Sequence, residues 1–155
     1  EDYTENGAAD GLTEPETARR FAEETQVDAL AVAVGTAHGV YKGTPRLDLD
    51  LLTTLSQQLP LPLVLHGGSG TGDENLVSAI RCGIQKINLN TDLNEGGLAR
   101  LKTVCQQDFR RQVEGPNGEM NTKRMNLQQT VQAAADGWKE TLKYYIKLFG
   151  GENQA

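Results

Sequence analysis

Apolar residues along this chain fall into two alternating patterns. Short runs rich in Ala, Val, Leu and Ile are separated by stretches in which apolar positions recur every three or four residues. The first run, residues 27–34, is nearly all Ala, Val and Leu and lacks polar alternation, as a strand covered on both faces requires. The second run is 63–65, after Pro60 and Pro62, which bracket the end of the helical stretch before it, and the third is 84–89.

Between them lie the helical stretches. Thr13, Glu14 and Pro15 form a start signal, with Thr13 as the cap of a helix running to about Thr25. Leu47, Leu51, Leu52, Leu55 and Leu59 mark a stripe over 47–58. Residues 73–81 predict a short helix whose Asp73 and Glu74 suit its positive N-terminal end. Residues 93–113 predict a helix interrupted near its start by Gly96 and Gly97, and Pro116, Asn117 and Gly118 predict a turn. Residues 126–149 predict a long last helix, with one stripe through Leu127, Val131, Ala134, Trp138, Leu142, Tyr145, Ile146 and Phe149 and an end at Gly150.

Strands alternating with helices predict parallel βα units, an α/β fold. Three strands do not close a barrel, and a complete (β/α)8 TIM barrel takes about 250 residues. The expected architecture is therefore the C-terminal half of such a barrel, strands six to eight with flanking helices. A small open three-layer α/β sheet is the rival. The expected organisation is a single partial barrel domain. Residues 1–13 form a mobile active-site loop, 14–112 three βα units, and 113–155 a C-terminal loop and long helix.

Composition narrows the field. The 155 residues carry a formal charge of −6, which argues against a nucleic-acid surface, since phosphate contacts need clustered Lys and Arg. No apolar run approaches the roughly 20 residues that span a bilayer. The acidic, polar beginning is unlike a signal peptide and suggests a start inside a longer protein. Cys82 and Cys105 make neither a disulfide framework nor a metal-binding pair; both are expected as small core residues in a reducing cytosol.

The chemistry gathers where the strand runs end. His38 and His66 are the chain's two histidines; each follows an apolar run and leads into glycine. Ligands of parallel α/β folds bind beyond the carboxyl ends of the strands, and imidazole is the commonest zinc ligand. The spacing, one βα unit, puts both rings at the same level of adjacent strands, as metal ligands; the alternative is that each bonds a local carbonyl. A third ligand is not evident in the sequence, although catalytic zinc takes three protein ligands.

Gly67, Gly68, Ser69, Gly70, Thr71, Gly72 and Asp73 lead from a strand into a helix. Glycines permit close backbone approach, and helix N-termini attract anions. Ser69 and Thr91 hydroxyls are candidate donors to a phosphate there, although the same segment also reads as a plain flexible turn. Asn88 and Asn90 share a strand face and could hold a substrate hydroxyl or a developing enolate oxygen; Asn90 reads equally well as a helix cap. Lys86 lies on that face, deeper. It is a conceivable Schiff-base amine, and a buried structural ion pair is the favoured reading.

Three motifs together carry a family resemblance: Gly35, Thr36, Ala37, His38, Gly39, Val40 and Tyr41; Pro62 through the run to His66, Gly67, Gly68, Ser69 and Gly70; and Lys86, Ile87, Asn88, Leu89, Asn90, Thr91, Asp92 and Leu93. They resemble the class II, metal-dependent ketose-bisphosphate aldolases, the fructose- and tagatose-bisphosphate enzymes, over about residues 14–100. The resemblance implies a lyase of carbohydrate metabolism and glycolysis, cytoplasmic, in which Zn2+ polarises the ketone. It splits fructose- or tagatose-1,6-bisphosphate reversibly into dihydroxyacetone phosphate and glyceraldehyde 3-phosphate. It implies His38 and His66 as zinc ligands, and Gly39, Gly67, Gly68, Ser69, Asn88, Leu89, Asn90 and Thr91 as substrate contacts, with Na+ or K+ near the phosphate. Glu1 falls at the end of the family's mobile loop, where a glutamate moves a proton on the triose carbon.

The departures are as informative. The first half-barrel, with the third histidine and the proton-shuttling aspartate, is not in this sequence. Asn90 stands where many fructose-specific members carry Asp, which leans toward the tagatose or broad-specificity branch. The implied partners are the missing N-terminal half-barrel and, when complete, further copies in a homodimer or homotetramer, with no nucleic acid and no membrane. The alternative function is a non-catalytic half-barrel fragment or subunit that binds phosphate or serves a structural role.

Overall fold

The computed structural model describes residues 11–36 and 43–152. It divides into two compact units, residues 1–91 and 92–155.

The first unit is built on a parallel three-stranded sheet of order β1 (Leu30–Ala31), β2 (Leu63–Leu65), β3 (Ile84–Ile87). Helices α1 (Pro15–Thr25), α2 (Leu49–Gln58) and α3 (Asp73–Arg81) precede and connect the strands. Ala18, Ala22, Leu52, Leu55, Leu76 and Ala79 from the helices and Leu59 at the end of α2 are buried with Leu63, Leu65 and Ile84 from the sheet and Val32 and Val34 just beyond β1. Each fully buried leucine contributes about 1.5–3 kcal/mol.

Thr13 does not cap α1. The Glu14 carboxylate accepts the Glu16 and Thr17 N–H groups instead, and Arg19 pairs with Glu16 and Glu23 along the helix. Thr13 turns to the sheet: its Oγ1 accepts the Ala33 N–H at 2.7 Å, and its own N–H donates to the Ala33 carbonyl at 2.9 Å. The Val34 carbonyl accepts the Asp48 N–H, where Asp48 caps α2. The Val32 N–H still donates to the Val64 carbonyl at 3.2 Å, but the Val34 carbonyl, which alternation turns to the same side, is taken by Asp48. The run expected as a strand over 27–34 is therefore a strand only at Leu30–Ala31.

Val32 and Val34 are buried, whereas Ala31 and Ala33 are exposed. The register aligns Ala31, Val64 and Lys86 across the sheet. Two positions further along the same face come Ala33, His66 and Asn88. A register shift between Leu63 and Val64 sets this alignment; there the Gln85 side chain accepts the Leu63 N–H. Strand β3 ends at Ile87, two residues short of expectation, because the backbone from Asn88 turns to meet the glycine loop.

The second unit holds α4 (Thr91–Gln106), an antiparallel hairpin of β4 (Arg110–Glu114) and β5 (Met120–Arg124), and α5 (Leu127–Leu148). The helix expected over 93–113 starts earlier and stops earlier, and Gly96 and Gly97 do not break it. They lie against α5: a Cβ on Gly96 would meet Thr141, one on Gly97 the Ala134 carbonyl, and one on Gly137 the Gly96 carbonyl at 2.5 Å. Small residues at such a contact bring two helix backbones close. The buried line of α5 is thus Ala133, Gly137 and Tyr145, while Leu127, Val131, Trp138 and Ile146 of the expected stripe are exposed. The Tyr145 hydroxyl bonds the Asp92 carboxylate at the start of α4. Asn126 caps α5 in a reciprocal capping box with Gln129. Cys105 is exposed, not a core residue, and Cys82 is half-buried at the end of α3. No helix among the described residues is long and apolar enough to cross a membrane.

Candidate functional site

Strand β2 delivers His66 at its carboxyl end. Leu63, Val64 and Leu65 are all buried, so the strand is held firmly while the imidazole that follows is exposed. Thr36, after the first strand segment, donates its hydroxyl to the His66 carbonyl at 2.7 Å. The next residue, Gly67, has φ 66°, in the region that favours glycine, and bends the chain toward α3. The Thr71 hydroxyl closes this turn on the Gly67 carbonyl at 2.8 Å. Gly70 (φ 72°) and Gly72 (φ 88°) complete the loop.

The loop is tied to the segment after β3. The Gly68 N–H donates to the Asn88 carbonyl at 3.1 Å, and the Asn90 N–H donates to Ser69 Oγ at 3.1 Å. A Cβ on Gly68 would lie 2.6 Å from Ile87 Cγ2 and 3.0 Å from the Asn88 carbonyl oxygen, so only glycine fits this close approach. Gly67, Gly68 and Ser69 are thereby brought beside Asn88, Leu89 and Asn90. Thr91 follows as the first residue of α4. Ser69 is buried, with its oxygen accepting from Asn90, and Gly72 begins α3 without a side-chain cap.

Asn88 reaches across to the histidine. Its Nδ2 lies 3.1 Å from His66 Nδ1, and its Oδ1 accepts from Lys86 Nζ at 2.5 Å. Lys86 is exposed and bonded to an amide, which corrects the expectation of a buried ion pair. The sequence named all three residues but missed this chain of contacts. The Lys86 and Asn88 alternation was its visible half; the cross-strand register was not.

Three predicted residues, Glu1, His38 and Gly39, lie outside the described residues. Among the described residues, no group of three or more His, Cys, Asp or Glu side chains is arranged to hold a metal ion. Among the described residues, His66 supplies an exposed imidazole at a strand's carboxyl end, the ligand type that zinc sites use, with Asn88 Nδ2 3.1 Å from its Nδ1. A separate concavity of about 380 Å3 in the second unit is lined by Arg100, Arg110, Arg111, Gln129 and Asp136 among others. None of the predicted site residues lines it.

A parallel α/β sheet with an imidazole, a glycine loop and two asparagines at its strand ends defines an enzyme-like half-barrel of the α/β class. The family described as fructose-bisphosphate aldolase class-II matches residues 1–154, and the chain belongs to it. It is 35% identical over 153 residues to the protein YdjI of Escherichia coli K12, covering 99% of this chain and 49% of that protein. It is 36% identical over 144 residues to a sulfofructosephosphate aldolase of Alkalicoccus urumqiensis, covering 93% of this chain and 46% of that one. The crystal structure of the YdjI aldolase superposes with a TM-score of 0.76 at 32% identity, over 93% of this chain and 48% of the other. A fructose-bisphosphate aldolase of Campylobacter jejuni shares the fold, with a TM-score of 0.68 at 19% identity over 90% of this chain and 45% of that chain. The chain thus spans about half the length of the relatives it matches, and its α/β fold is that of a half-barrel.

Proposed function

We propose that this chain supplies the metal- and phosphate-binding half of a class II aldolase that cleaves a phosphorylated ketose reversibly, through a carbon–carbon bond, into dihydroxyacetone phosphate and an aldehyde. Fructose- or tagatose-1,6-bisphosphate is the proposed substrate, and Zn2+ the proposed metal. The observation that carries this reading is the juxtaposition of the His66 imidazole and the glycine loop, held together by Asn88 and Ser69.

In this reading His66 and His38 are two of the ligands that hold the zinc, which when bound supplies a Lewis acid for the ketone carbonyl. Asn88 stands next to His66, where its amide can turn from the imidazole to a substrate oxygen. Gly67, Gly68 and Ser69 with Asn90 and Thr91 line the place for the phosphate. Support comes from the positive-φ glycines, which keep side chains out of the backbone's way, and from the uncapped start of α3. Phosphate binding remote from the reacting bond would orient the ketose and lend its binding energy to the chemical step. A monovalent cation beside the phosphate, Glu1 as the group that moves the triose proton, and assembly with an N-terminal half-barrel and with further copies belong to the same proposal. The exposed Ala31 and Ala33 face favours such a partner half.

The test is aldol cleavage by the full-length protein with added Zn2+, for wild type and His66→Ala. Turnover that needs both metal and His66 is expected. Undiminished turnover in the variant would refute the reading.

A further inference from the structure

We propose that the concavity of the second unit is a binding site for a small organic phosphate. Arg100, Arg110 and Arg111 hold the phosphate group, and the apolar body of the ligand rests on Val104, Met125 and Ala133. The site is built from α4, the start of β4 and the first half of α5, all within residues 92–155. Its floor is apolar, with Val104 and Ala133 buried and Met125 half-buried, and its three arginines are exposed at the rim. The volume of about 380 Å3 is that of a small-molecule site.

The charge is concentrated against the trend of the chain. The whole sequence carries −6, which repels anions except where cations gather. The hairpin sets Arg110 opposite Arg124 and Arg111 opposite Lys123, two adjacent like-charge pairs that destabilise it. Asp108 pairs with Arg110 at 3.2 Å, and Asp136 lines the concavity. The ion pairs among the described residues leave Arg100, Arg111, Lys123 and Arg124 without a carboxylate. Charges on an exposed hairpin edge also discourage pairing with other chains. That purpose asks neither for one sign on both strands nor for Arg100 of α4 on the same hollow.

The backbone is bent to place these groups. The chain passes from α4 into β4 through two successive left-handed residues, Asp108 (φ 55°) and Phe109 (φ 54°), neither of them glycine. Such conformations are disfavoured and concentrate at functional sites. Arg110 and Arg111 follow directly. Guanidinium forks match phosphate oxygens, and a dianion answers an excess of cations better than one carboxylate does.

The experiment titrates the full-length protein with phenyl phosphate, inorganic phosphate, phenol and heparin while NMR follows the arginine Nε–H signals. Signals of Arg100 and Arg111 report this site apart from the glycine loop proposed to hold substrate phosphate. Phenyl phosphate is expected to shift both with one dissociation constant, more tightly than inorganic phosphate, and more weakly as NaCl is added. Phenol is expected to shift neither. Arg100→Gln and Arg111→Gln are each expected to weaken phenyl phosphate binding here by about tenfold. Arg111→Gln is expected to be at least as stable as wild type, because it removes the like-charge pair with Lys123. Unmoved Arg100 and Arg111 signals in wild type would overturn the proposal, and this result needs no variant to fold. Equal shifts with phenol, or shifts with heparin alone, would also overturn it, by making the hollow an apolar groove or a polyanion surface. So would a loss of stability in Arg111→Gln, which would give the cluster a structural role.

Discussion

Ser69 Oγ accepts the Asn90 N–H at 3.1 Å, and this bond joins the glycine loop after β2 to the segment after β3. Ser69 is buried, which keeps this bond away from competing water. Ser69→Ala is expected to cost about 0.5–1.5 kcal/mol through loss of this hydrogen bond. Because the same loop is proposed to hold phosphate, the variant's dissociation constant for dihydroxyacetone phosphate should rise. Isothermal titration and denaturant unfolding of the full-length protein separate the two effects.

Gly68→Ala tests the close approach of the two segments. The added carbon would meet Ile87 Cγ2 at 2.6 Å and the Asn88 carbonyl oxygen at 3.0 Å. Backbone and strand must shift to admit it. A loss of about 1–3 kcal/mol in unfolding free energy is expected. A variant as stable as wild type would mean that the two segments are looser than the structure has them.

In the second unit, Gly137→Ala should destabilise by a similar amount. Its Cβ would lie 2.5 Å from the Gly96 carbonyl oxygen and 2.6 Å from Arg100 Cβ, a clash of about 1–3 kcal/mol. Ala135→Gly, on an exposed position of the same helix, is expected to cost only about 1 kcal/mol through helix propensity. Circular dichroism during thermal unfolding compares them.

The Glu14 carboxyl is held below the usual carboxylate range, first by the Thr17 side chain and then by the Glu16 and Thr17 backbone N–H groups. A depressed folded-state value means that the cap's contribution is complete above the unfolded carboxyl range. It is lost as pH falls through the lowered folded value. Acidification is therefore expected to weaken the start of α1, and Glu14→Gln should show a smaller loss over the same pH interval. Hydrogen exchange at the Glu16 and Thr17 amides, followed from neutral pH into acid, reads this directly.

Much of the first unit was legible because its signals are local. Pro60 and Pro62 mark the end of α2 just ahead of β2, and Asp73 with the preceding glycines marks α3, so these elements fall where the pattern put them. Strand β1 is short because the Val34 carbonyl goes to the Asp48 N–H at the start of α2, and no pattern within the run records that. Gly96 and Gly97 looked like a helix break; their reason is the approach of Gly137 from α5, a contact between small residues that leaves no apolar signature. The β4–β5 hairpin was missed because its strands are exposed almost throughout, without alternation; only its turn at Pro116, Asn117 and Gly118 showed. In the site, His66, Ser69, Asn88 and Asn90 could be named from strand ends and motifs. The Lys86–Asn88–His66 chain could not, since it depends on the register shift at Leu63 and Val64.

The central claim is that His66, oriented by Asn88 beside the glycine loop, holds a catalytic metal. Zinc content of the full-length protein after equilibrium dialysis tests it most directly. Wild type is expected to retain stoichiometric zinc, and His66→Ala to lose it while keeping its fold by circular dichroism. A folded His66→Ala variant that retains zinc as wild type does would contradict the account.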